Sequence, residues 1–185
     1  MPLIVHEYDW PDRVVVGTVG RPGERTFYLQ ARTGSRSTSV VLEKEQSAVL
    51  AERIDELLDD LVADEANRVS VPTETPVELF DDDPLDQPVE EQFRAGAMRL
   101  GWDPRTAQVV IEAFPLVVTP DEDDPAPGPD VQEPGEVLVV RIPVGTARAF
   151  AQRTRRVVRA GRPPCPLCGE AIDEDGHVCG SRDDV

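Results

Sequence analysis

Apolar residues follow two spacings along this chain, and the spacing changes mark its elements. Leu3–Tyr8 is a short apolar-rich run closed by Asp9-Trp10-Pro11-Asp12, and Arg13–Val19 is rich in β-branched side chains. Both predict strands. Gly20-Arg21-Pro22-Gly23 predicts a turn into Arg25–Thr33, where Phe27, Leu29 and Ala31 alternate with Tyr28, Gln30 and Arg32. Gly34-Ser35 leads to a fourth strand at Thr38–Leu42. From Glu43 to Ala66 the period becomes helical, with Val49, Leu50, Ile54, Leu57, Leu58 and Leu61 on one side. Gln92–Trp102 and Ala107–Val118 read as a hairpin about 103–106, and Glu136–Ile142 as a strand feeding a helix over Pro143–Ala160. Pro143 suits a first helical turn and Gly161 a helix end. The fold class this predicts is α+β, an antiparallel β-sheet with two long helices on one face. Moving the first half along by about 100 residues lays Leu42 on Ile142, Ala51 on Ala151, Arg53 on Arg153 and Leu58 on Val158. That is what an internal duplication would give, and any strand-then-helix pair would also align this way.

Charge divides the chain further. Of 185 residues, 36 are acidic and 19 basic, for a net charge of −17. Ser70–Glu91 holds eight acids and Thr119–Glu136 seven, with no Lys or Arg in either, and both are Pro-rich. Proline removes backbone donors and like charges repel, so both segments are expected to be loops that do not pack. Asp81-Asp82-Asp83 offers the alternatives of an acidic interaction loop or a divalent-cation site. The sheet domain is then 1–161, with acidic loops at about 70–91 and 119–136, and a tail follows at 162–185. The acidity argues against a general nucleic-acid coat and against anionic membranes. With no apolar run of about 20 residues and no signal-like N-terminus, the expected place is the cytoplasm.

All three cysteines lie in the tail, as Cys165-Pro166-Leu167-Cys168-Gly169 and His177-Val178-Cys179. A C-x2-C knuckle followed by His and Cys two apart supplies three thiolates and an imidazole. That set closes a tetrahedral zinc shell, so Cys165, Cys168, His177 and Cys179 are the expected ligands of one structural zinc. Mononuclear iron or redox chemistry at the C-x2-C pair, and free thiols, are the alternatives. In a tail with few apolar groups the metal would supply the folding free energy.

The segments HEYDWPDRVVVGTVGRPGERTFYLQA, VVLEKEQ, GAMRLGWDP and the terminal CPLCG with GHVC resemble an actinobacterial domain-of-unknown-function family, family 3090. The resemblance spans nearly the whole chain apart from the acidic loops. Its members usually carry a Pro-Arg pair after the last Cys, where this chain has Gly180-Ser181 before Arg182. The resemblance implies a pathway shared with histidine-phosphatase-like and kinase-like neighbours. It implies no activity and no catalytic residue.

Arg148, Arg153, Arg155, Arg156, Arg159 and Arg162 cluster on and after the last predicted helix, with Arg153, Arg156 and Arg159 spaced to share a face. This stripe leads to the first functional reading, a non-enzymatic binding or adaptor protein with a zinc-stabilised tip and an acidic protein as partner. Nucleic acid, bound by the same stripe and tip, is a less favoured partner. The stripe would equally pair with the chain's own acidic loops or with solvent. The alternative is a small enzyme acting on a phosphorylated metabolite. His6, beside Glu7 and Asp9, is the histidine left for acid–base work. No G-x-S-x-G, P-loop, G-x-G-x-x-G or H-E-x-x-H sequence is present.

Overall fold

The computed structural model describes residues 3–64, 70–117, 135–161, 165 and 172. Its strands are β1 (Ile4–Asp9), β2 (Arg13–Val19), β3 (Thr26–Thr33), β4 (Arg36–Leu42), β5 (Glu91–Asp103), β6 (Gln108–Pro115) and β7 (Glu136–Pro143). The helices are α1 (Lys44–Ala63) and α2 (Val144–Arg159). The first turn of α1 is fixed by Gln46, whose side-chain oxygen accepts the Glu43 amide at 2.8 Å. The same side chain donates to the Ala95 and Gly96 carbonyls at 3.1 and 2.8 Å, tying the helix start to β5.

The seven strands form one sheet in the order β1-β7-β6-β5-β4-β3-β2. The sheet is mixed, which corrects the antiparallel expectation: β4 pairs with β5, and β1 with β7, in parallel. The β4–β5 junction follows from connection length, since α1 and the segment after it carry the chain back to the starting end. Element order repeats, with β2-β3-β4-α1 followed by β5-β6-β7-α2.

A flat sheet of this order cannot exist. Six strand spacings of about 4.8 Å would hold β1 and β2 about 29 Å apart. The chain from Asp9 to Arg13 reaches at most about 14 Å. The sheet therefore rolls until β1 approaches β3. There the buried Tyr8 hydroxyl bonds Thr38 at 2.8 Å, Arg36 stacks on the Tyr8 ring at 4.3 Å, and the Gly34 amide donates to Asp12 at 2.7 Å.

Both helices bury their apolar sides in one core. Leu50, Ala51, Ile54 and Leu58 of α1 and Ala147, Phe150 and Ala151 of α2 meet alternate residues of every strand, among them Val16, Leu29, Val40, Ile111 and Val140. This period-2 selection is the burial solution the strand patterns imply. No helix among the described residues is long and apolar enough to cross a membrane.

Candidate functional site

The first acidic segment is packed, contrary to the solvated loop its prolines and charges predict. It enters with the buried Val71 and forms a 3-10 turn at Val77–Leu79. It then wraps the sheet's edge at β2 as a strap. Buried Arg148 of α2 anchors the start, donating to the Pro72 carbonyl at 3.3 Å and to Asp55 and Asp59 of α1 at 3.0 and 2.9 Å. Leu79 and Pro76 lie over Gly145, where a Cβ would sit 3.2 and 3.5 Å from them.

The middle of the strap is clasped by two guanidinium groups. Arg13 of β2 donates Nε and Nη2 to the Asp81 carboxylate at 2.6 and 2.9 Å, and reaches the Asp83 and Pro84 carbonyls at 2.9 and 3.0 Å. Arg153 of α2, only 6% exposed, donates to the Asp81 carboxylate and carbonyl at 2.7 Å each and to the Asp83 carbonyl at 2.7 Å. Its Nε donates to the Val16 carbonyl of β2, an edge strand of the sheet, at 3.1 Å. The planar fork of Arg suits this multiple capture.

Beyond the clasp the strap crosses to the other face of the sheet. Leu85 settles on Gly17, where a Cβ would come within 2.6 Å of it. Buried Gln30 exchanges two hydrogen bonds with the Asp86 backbone, at 2.8 and 3.0 Å. Arg32 donates to the Asp86 carboxylate at 2.9 Å.

The electrostatics fit a structural clasp. The hydrogen bond from Arg13 holds the Asp81 carboxyl below the usual carboxylate range, against an opposing effect of burial. The same bond raises Arg13. Burial pulls Arg153 below its ordinary value, offset in part by Asp81. With both oxygens engaged by N–H donors, Asp81 is neither a free base nor a vacant cation ligand. Asp82 is taken by Arg156 at 2.6 Å, so the divalent-cation alternative for this triplet loses two of its three acids.

The stripe residues are thus distributed unevenly. Arg153 is buried in the clasp, and Arg155 pairs with Asp55 of α1. Burial, followed by the nearby Arg159 charge, lowers Arg155. Arg156 pairs with Asp82 and lies 5.8 Å over the Phe80 ring. Arg159 is exposed, and Arg162 lies outside the described residues. Of the expected metal ligands, Cys165 is buried. Cys168, His177 and Cys179 lie outside the described residues. Among the described residues no three or more His, Cys, Asp or Glu are grouped to hold a metal. His6 pairs with Glu136 at 2.9 Å, and Gln92 donates to the same carboxylate at 3.0 Å. Asp9 is engaged elsewhere, accepting from Gln108 at 2.8 Å.

What the strap shows to solvent is apolar and acidic together. Val77 is 80% and Phe80 46% exposed, with Leu79 beside them. Glu74, Glu78, Asp82 and Asp83 are exposed around them. Charge and proline drew attention to this segment in the sequence. No local pattern marks Arg13 and Gly17 as residues that seat it, whereas Val71 and Leu85 carry a signal as aliphatic residues set in an acidic stretch.

The family model described as "Protein of unknown function (DUF3090)" matches residues 6–179. No curated protein and no solved structure matches the chain.

Proposed function

The chain belongs to DUF3090, a family of unknown function, and from that premise we propose that it is a non-enzymatic binding protein, an adaptor that engages a protein partner through the acidic strap. The observation that carries this reading is the clasp. Two Arg side chains from different elements fix Asp81, so Val77 and Phe80 are displayed at the surface by a held backbone. A held surface loses little entropy on binding, and exposed apolar side chains ringed by acids complement an apolar anchor flanked by Lys or Arg. The Arg stripe expected to take an acidic partner has three of its members in internal ion pairs.

Affinity capture from the native host tests this reading, comparing the wild type with Val77→Ser/Phe80→Ser. The expected result is a basic partner retained by the wild type and lost by the double variant at unchanged melting temperature. Equal retention by both, or an acidic partner lost on Arg159→Gln instead, would return the site to the stripe.

The reading includes a structural zinc at Cys165, Cys168, His177 and Cys179, supported by the closed Cys3His donor set. A reducing compartment, the cytoplasm, keeps such thiols available. Elemental analysis of protein purified under reducing conditions should find about one zinc per chain, and Cys168→Ser should abolish it. Absence of zinc from the wild type would remove this part.

A further inference from the structure

The two edges of the sheet are treated differently. The β2 edge is covered by the strap and capped by Arg153. Among the described residues nothing pairs with the outer side of β1 around Val5. Ile4 and Trp10 donate their amides to Gly135 and Arg141 beside β7, at 3.0 and 3.1 Å. In a parallel ladder bonded this way, even-numbered residues of β1 direct their backbone groups at β7 and odd-numbered ones direct theirs outward. The Glu7 carbonyl on the outward side is taken by Arg36, which closes the far end. That leaves the N–H and C=O of Val5 facing outward. Leu3, Ile4 and Val5 are 51%, 56% and 50% exposed. Leu116 and Val117, also exposed, leave β6 at the end where β1 and β7 begin. Edge strands that must stay single carry charge, proline or a cover, and among the described residues Leu3–Val5 has none of these.

We infer that the open edge of β1 around Val5 is a docking strip for strand addition, taking an extended segment of a partner protein with alternate apolar residues and basic flanks. The backbone of Val5 supplies the pairing, and Leu3, Ile4 and Val5 supply apolar contact. Charge selects the occupant. A second copy would bring another net charge of −17 to the same edge, whereas basic flanks are attracted. This strip is separate from the strap and does not depend on it.

The test is amide exchange at Val5 during titration with the synthetic peptide KRTVTVTVTRK, using the full chain. The expected result is exchange at Val5 slowed at least about tenfold, the signature of a newly made hydrogen bond, with no slowing by the same peptide N-methylated at every amide of its central TVTVTVT, which blocks both of its pairing edges. Val5→Pro should bind at least about tenfold more weakly at unchanged melting temperature, because an outward-facing N–H on an edge strand is where proline is tolerated. Should Val5→Pro unfold, Val5→Lys, which sets a like charge against the peptide, should show the same loss. The Val77→Ser/Phe80→Ser variant should bind the peptide as the wild type does, so failure here is distinguishable from failure at the strap. No slowing at millimolar peptide, binding of the methylated peptide, or undiminished binding by both Val5 variants would overturn the inference. Val5 protection by self-association without peptide would also overturn it, assigning the edge to a second copy.

Discussion

Arg153 shows what a helical spacing does and does not reveal. Its placement on a face with Arg156 and Arg159 follows from the 3.6-residue repeat and is legible in the sequence. That the face meets a carboxylate, a strand carbonyl and a crossing loop depends on residues 70 to 137 positions away, which no local pattern encodes. Asp81 gives the matching pH prediction. Its folded-state pKa lies below the ordinary value, so its contribution is full above about pH 4, the unfolded carboxylate range. That contribution is lost as the pH falls from there through the depressed value. Asp81→Asn should therefore lower the urea midpoint at pH 7, and the gap from wild type should shrink toward pH 2.5. A gap that stays constant over that range would show that Asp81 charge is not what the clasp uses.

At the scale of elements, every strand and both helices were legible, because period 2 and period 3.6 alternate clearly and turn residues separate them. Two features were not. The parallel pairing of β1 with β7 joins residues about 130 apart, and pairing partners leave no trace in a single strand's pattern. In sequence the strap reads as solvated because acids and prolines dominate it, while its seating depends on two aliphatic residues, one glycine and the distant arginines that clasp it. Gly17 stands in a run of valines that would otherwise favour β-branched residues, and the reason is Leu85, whose side chain fills the space a Cβ would need. Gly17→Ala should displace Leu85 and destabilise the protein by about 1–3 kcal/mol, the range for overpacking, measurable by urea unfolding. Added to Leu85→Ala, the same substitution should cost less, since the obstruction is gone. Additive costs would contradict the contact.

The described residues form a rolled mixed sheet with two helices packed on its core face, and the strap belongs to that body. The roll was implicit in the sequence, since β1 and β2 are joined by three residues, but only the strand order turns that short link into a constraint. The strap's membership in the body is what makes it a display surface. Amide hydrogen exchange at Asp86 tests this most directly, because its N–H donates to the buried Gln30 side chain at the strap's far end. Exchange at Asp86 should be slower than in an unstructured chain by about a thousandfold or more, near the protection of the sheet itself. Arg153→Met should remove most of that protection while β3 and β6 stay protected. Exchange at Asp86 at the rate of an unstructured chain in the wild type would contradict the clasp and the binding surface built on it.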